Sequence, residues 1–432
     1  MLSFRPRLFA LILLAAQSTS AFALDPKVKE LVFNETRSNA VAARSDQMKQ
    51  IENFEVPLRI LEPNLSDRLT PDVRDALIFE KRGEKFVRWI INPEDTKWRL
   101  RMEKFLRDKG VWPVRHKYFT GYQTASRSYI VEDPKSHAQF SLKVSTNKTG
   151  GNWTDKKQTA EDAGDVRRAT DYVFDQSKKE PFKNFVVMDE PAAFRANEID
   201  QGMLVRTLAD LPKGDHYYLP GFSAVHEDMG RTIAELNGAT NVAEFWNHNY
   251  NRPLGRTLAE LASRTGVSFD SPHSQNFLVE LDNNYKPTGR IVLRDLGDIY
   301  LNTEIVTANG AEALLKSWPA ENVVKGTISD SVGILHGNKF PKWMTDAEYD
   351  QWGEDFYKEY DKEVSRVTGI PESELKGKHY RNGNYMMRGT PVKGENWKAY
   401  LSSLRKARYP DTAPAHPWKI SQSCDRAYAA IR

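Results

Sequence analysis

The sequence predicts an α+β protein, with a helical N-terminal region, a central and largely antiparallel sheet, and a helical C-terminal region. Two observations carry this. Stretches with few helix breakers and apolar residues at helical spacing lie at both ends, whereas short apolar runs separated by turns fill residues 111–301. The late runs are joined as hairpins and not by helical crossovers, which disfavours a doubly wound parallel sheet.

Taken in order, residues 1–23 read as an export leader. Arg5 and Arg7 precede an apolar run from Leu8 to Ala16, and Ala21-Phe22-Ala23 supplies a small-x-small cleavage site. A membrane anchor would need about 18 to 20 apolar residues, and Gln17-Ser18-Thr19-Ser20 interrupts the run. The expectation is an exported chain, periplasmic or secreted, that begins near Leu24 and has no later membrane span. The lone Cys424 excludes an internal disulfide.

Residues 27–53 read as helical and 57–71 as a loop-rich connection. Two amphipathic helices are expected over 72–91 and 94–109. The second opens at Asn92-Pro93, closes at Gly110, and places Trp98, Met102, Phe105 and Leu106 on one face. Strands are expected at 128–131, 139–145, 185–188, 203–208, 277–281 and 290–293, with helices at 158–178 and 241–265. After Leu301 the pattern is helical again. A capping box, Thr345 with Glu348, opens a helix whose Tyr349, Trp352, Phe356 and Val364 form a core stripe until Gly369 and Pro371 stop it. The expected organisation is a helical region over 24–123, a central α+β domain over 124–305, and a helical region over 306–432.

Composition narrows the class. Of 432 residues, 62 are basic and 58 acidic, interspersed along the chain, so no concentrated basic face for nucleic acid is expected. A 40% apolar content with ten Trp describes a chain that folds around substantial cores.

The chemistry concentrates in one hairpin. Its strands are Phe277-Leu278-Val279-Glu280-Leu281 and Arg290-Ile291-Val292-Leu293, joined by a turn rich in Asn, Pro and Gly. Folding it brings His273 and Asn276 beside Asp295. An amide oxygen next to a carboxylate is a hard oxygen site suited to Mg²⁺ carrying nucleotide phosphates. Lys143, in the alternating run Phe140-Ser141-Leu142-Lys143, has the placement of a strand lysine that pairs with phosphate oxygens. The polar loop from Thr146 through Thr149 and Gly150 to Thr154 could cradle phosphate with its amides and hydroxyls, without Walker A spacing. Phe185-Val186-Val187-Met188 running into Asp189-Glu190-Pro191 has the form of a strand whose backbone faces an adenine.

In this order the pieces resemble the siderophore synthetases that work without a nonribosomal peptide synthetase, the aerobactin synthetase type. The matching positions are Lys143 with Thr149-Gly150, Asp189-Glu190-Pro191, Leu204-Val205-Arg206, His273-Ser274-Gln275-Asn276 and Arg294-Asp295-Leu296-Gly297. The resemblance implies a kinase-like palm and an ATP- and Mg²⁺-dependent ligase that adenylates a carboxylate and joins it to an amine or hydroxyl. It implies Asn276 and Asp295 as metal ligands. Lys143, Thr149, Glu190 and His273 would then lie at the nucleotide, with His273, Arg127 and Arg206 at the reacting groups. Arg127 and Arg206 suit a carboxylate by guanidinium geometry. Two other readings stay open: an exported kinase-like phosphotransferase, and a non-catalytic binding module of the same fold.

Overall fold

The computed structural model describes residues 24–38, 46–92, 94–148, 155–212, 214–270, 272–329, 331–335, 340–375, 377 and 379–408. The leader, Thr149 with the rest of the 149–154 loop, and Cys424 therefore lie outside the described residues.

Helix α1 (Pro26–Ser38) opens the described chain. Strands β1 (Lys49–Pro57) and β2 (Glu62–Leu65), helix α2 (Pro71–Leu77) and strands β3 (Ile78–Lys81) and β4 (Glu84–Ile90) follow. Then come α3 (Lys97–Asp108), β5 (Arg115–Gln123), β6 (Ser128–Glu132), β7 (Gln139–Lys143) and α4 (Ala160–Lys179). Next are β8 (Phe185–Val187), β9 (Ala192–Ala196), β10 (Gln201–Arg206) and β11 (Tyr217–Pro220). The last labelled elements are α5 (Glu227–Leu236), α6 (Arg252–Thr265), β12 (Val267–Phe269), β13 (Phe277–Leu281), β14 (Pro287–Leu293), α7 (Asp346–Thr368) and α8 (Gly394–Arg408).

The architecture is α+β, with helices at both ends and antiparallel sheet between them. Nine strands form one sheet in the order β2-β9-β10-β7-β6-β5-β1-β4-β3, and every neighbouring pair in it is antiparallel. A second sheet has the order β11-β13-β14-β8, with β8 joined to β14 in parallel. The large sheet draws strands from residues 49–123 as well as 128–206 and is continuous through β5 and β6, where Tyr122 pairs with Ile130. Gly121 is required there, because a Cβ would lie 2.4 Å from the Ile130 carbonyl oxygen.

Two local expectations need correction. Residues 72–91 do not form one helix: α2 stops at Leu77 and a β3–β4 hairpin follows. Its turn uses positive φ at both Arg82 (56°) and Gly83 (78°), the twist that suits a two-residue hairpin. The helix expected over 27–53 is described over Pro26–Ser38, and it does not reach residue 53, because β1 occupies Lys49–Pro57. By contrast α3 buries Trp98, Met102, Phe105 and Leu106 as its spacing requires, and α7 carries the Thr345–Glu348 capping box.

Strand alternation sorts the side chains into three layers. In β7, Phe140 and Leu142 enter the core beneath the large sheet with Tyr129 and Val131 of β6 and Met203 and Val205 of β10. Ser141, Lys143, Ile130 and Arg206 therefore face the other way. In the second sheet Phe277, Val279, Ile291 and Leu293 enter a core with α6 and α7. Their alternates, the cross-strand partners Leu278 and Val292, face the seam between the sheets. Helices α6 and α7 pack tightly, tied by Arg252 to Asp355 at 2.9 Å and Arg256 to Glu359 at 2.8 Å.

Candidate nucleotide cleft between the two sheets

The seam is where the two outward-facing rows meet. From the large sheet come Lys143 at the end of β7 and Arg206 at the end of β10. Their antiparallel register, Leu204 opposite Lys143 and Arg206 opposite Ser141, sets the two cations diagonally on one face of the sheet. From the second sheet comes Asp295, two residues past β14. Its backbone is left-handed (φ 66°), a strained state for a residue with a side chain.

Lys143 Nζ donates to Asp295 Oδ1 at 2.9 Å and Oδ2 at 2.8 Å, and Arg206 Nη2 lies 3.5 Å from Oδ1. Burial alone would raise the Asp295 carboxyl, but Lys143 and then Arg206 outweigh it and hold it far below the usual carboxylate range. For Lys143 the balance is reversed: burial lowers its pKa, and Arg127 and Arg206 add to that against the pull of Asp295. Asp298 is raised by burial and then by Asp295.

Behind this pair, Arg206 Nε donates to Glu190 Oε1 at 2.8 Å, and Thr170 Oγ1 donates to Glu190 Oε2 at 3.3 Å. Burial raises Glu190. It also works against the Arg206 charge, but Glu190 and then Asp295 outweigh it. The Asp189-Glu190-Pro191 turn is fixed from outside as well. Arg68 donates to both oxygens of Asp189 at 2.9 and 3.0 Å and to Asp171 at 2.7 Å. Arg167 donates to Asp171 and to the Glu190 carbonyl.

Residues expected from sequence fall into three groups. Lys143, Arg206, Glu190 and Asp295 converge, and Asn276 lines the same cavity as Arg206 and Asp295. Arg127 sits nearby, its field acting on Lys143 and Asp295, while its Nη1 donates to the Lys157 carbonyl. The backbone of His273 is bridged to Gly333, and its carbonyl accepts from Asn276 N at 3.0 Å; His273 is not among the residues lining the cavity. Thr149 lies outside the described residues.

The sequence set Arg294 in the matching Arg294-Asp295-Leu296-Gly297 segment without a role of its own, and it did not single out Glu35. Arg294 Nε donates to the Gln275 carbonyl at 2.8 Å, and its Nη1 donates to Glu35 of α1. Glu35 and Arg294 both line the cavity, with Leu31, Met188, Leu208 and Gln275. The sequence signal for Glu35 is that it continues the apolar stripe Val28, Leu31, Val32.

Among the described residues no group of three or more His, Cys, Asp or Glu side chains is placed to hold a metal. Asn276 and Asp295 do offer oxygen donors at one cavity, which fits in kind a Mg²⁺ bound by one or two protein oxygens plus phosphates. Both oxygens of Asp295 accept from Lys143, so this pair has to part for such an ion.

The sequence matches no family model and no curated protein. Solved structures do match. The chain is similar to ATP-bound aerobactin synthetase IucA from a hypervirulent pathotype of Klebsiella pneumoniae, at 14% identity and a TM-score of 0.51. That match covers 82% of this chain and 67% of that one. It is also similar to petrobactin biosynthesis protein AsbB from Bacillus anthracis, at 10% identity and a TM-score of 0.52, over 91% of this chain and 69% of that one. The chain thus has the fold of the siderophore synthetases its motifs resemble. No helix among the described residues is long and apolar enough to cross a membrane.

Proposed function

We propose that the chain is an ATP-dependent ligase that activates a small carboxylate and joins it to an amine or hydroxyl. The observation that carries this reading is the meeting of Lys143, Arg206, Glu190 and Asp295 at one seam, on a fold shared with a synthetase solved with ATP bound. In the reaction a carboxylate oxygen attacks the α-phosphorus and pyrophosphate leaves. The amine or hydroxyl then attacks the acyl carbon, loses its proton, and AMP leaves.

In this role Lys143 turns from Asp295 to the phosphates and neutralises charge that builds on them. Arg206, held by Glu190 at 2.8 Å, keeps a fixed cation at the reacting end, and Arg127 takes the acid substrate by its guanidinium on this reading. Asn276 and Asp295 would hold Mg²⁺, which supplies neutralisation of the phosphate oxygens. Export to the periplasm or beyond belongs to the same proposal and rests on residues 1–23.

The test is product analysis with ATP, candidate polycarboxylates and polyamines or hydroxylamines. Pyrophosphate and AMP in equal amounts support the ligase. ADP with a phosphorylated acceptor would instead establish the phosphotransferase reading. The binding-module reading draws on the closed Lys143–Asp295 pair, which leaves both carboxylate oxygens engaged; it predicts nucleotide or acid binding without turnover.

A further inference from the structure

One face of helix α1 lies in the seam, while Pro26, Lys29 and Arg37 on the other are exposed. Val28, Leu31 and Val32 are each at most 1% exposed, in an apolar cluster with Ile130 of the large sheet, Leu208 and Leu278 of the hairpin. These three positions form one helical stripe, and Glu35 falls next on it, seven residues after Val28. A carboxylate at that place is costly to bury unless it is paired. Glu35 is 3% exposed and is paired with Arg294 at the polar end of the cleft. The rest of α1 is anchored by Tyr285 OH donating to Glu30 at 2.7 Å and Ser223 Oγ donating to the Asn34 carbonyl at 3.1 Å.

The helix thus presents an apolar body to the apolar part of the seam and an anion to its cationic end, the same division of chemistry as a base joined to phosphates. With α1 seated, the remaining cavity is about 60 Å³, against roughly 300 to 1,000 Å³ for sites that enclose organic ligands.

We propose that α1 is an internal occupant of the nucleotide cleft, with Glu35 standing where an anionic ligand group meets Arg294, so that the cleft takes its ligand only after α1 lifts out. The inference rests on the nucleotide reading and adds to it both a binding residue, Arg294, and a means of control. Binding observed in the seated protein is weakened by the fraction of molecules in which the cleft is open, and loosening α1 removes that penalty.

The experiment titrates Mg·ATP into the full chain as wild type, Glu35→Gln and Leu31→Asp, with hydrogen exchange followed over residues 26–38. The milder Glu35→Gln serves if Leu31→Asp compromises folding. Expected are at least tenfold tighter binding by the loosened variants and faster exchange of α1 in wild type as nucleotide saturates. Equal affinities with α1 still protected in the complex would overturn the proposal and leave the nucleotide reading standing. Variants whose α1 exchanges freely while the rest stays protected, and which still bind no Mg·ATP, would overturn both.

Discussion

Lys143 and Asp295 lie 152 positions apart in the chain and meet at 2.8 Å, joining the seam face of the large sheet to the end of the hairpin. Asp295→Asn keeps the shape and removes the charge that balances Lys143 and Arg206. The side chain of Asp295 is 25% exposed, which softens the loss expected for a broken buried pair to about 2 kcal/mol. The double variant Lys143→Met/Asp295→Asn should lose less than the sum of the single changes, by about 1 kcal/mol. Urea unfolding of the four proteins measures both; strict additivity would mean that the pair carries no coupling.

Glu190→Gln should be more damaging. Its side chain is 1% exposed, that of Arg206 is 9%, and the change leaves a buried guanidinium facing a neutral amide. A loss of about 3 kcal/mol is expected in urea unfolding. A change below about 0.5 kcal/mol, the range of ordinary surface substitutions, would show that solvent reaches Arg206.

The hairpin was readable because two short apolar runs flank a turn rich in Asn, Pro and Gly; Phe277 pairs with Leu293 as folding it would require. Lys143 was readable from its strand. What could not be read was register between distant strands. Nothing local places Arg206 opposite Ser141 or brings Glu190 to its guanidinium. The β3–β4 hairpin was missed because its left-handed turn uses Arg82 where Asn or Asp is the usual signal. The stripe Val28, Leu31, Val32 marks α1 as amphipathic, yet an amphipathic face does not say which surface it covers.

Asp95 gives a pH signature away from the cleft. It is 3% exposed and accepts from Trp98 N at 3.0 Å at the start of α3, and burial pushes its carboxyl up to about 6. A folded value above the unfolded one, about 3.9, means that the native state holds the proton more tightly. The stability from this group is therefore full below pH about 4 and is lost as pH rises to about 6. Asp95→Asn should gain on wild type by about 3 kcal/mol across that window and stay level above it. Urea midpoints at several pH values measure the difference; a constant offset from pH 4 to 7 would contradict the assignment.

Gly255 tests the α6–α7 contact. A Cβ there would lie 2.6 Å from the Phe356 carbonyl oxygen, a backbone atom that cannot turn aside. Gly255→Ala should force the helices apart and cost about 1 to 3 kcal/mol, despite the higher helix propensity of Ala. A raised melting temperature would mean that the helices separate without penalty.

The central claim is a nucleotide site at the Lys143–Asp295 seam, and calorimetric titration of Mg·ATP into the full chain tests it most directly. The account predicts saturable binding at one site, strengthened by Glu35→Gln and removed by Asp295→Ala with the fold retained. No binding by wild type or by the α1-loosened variants, or binding that survives Asp295→Ala unchanged, would contradict it.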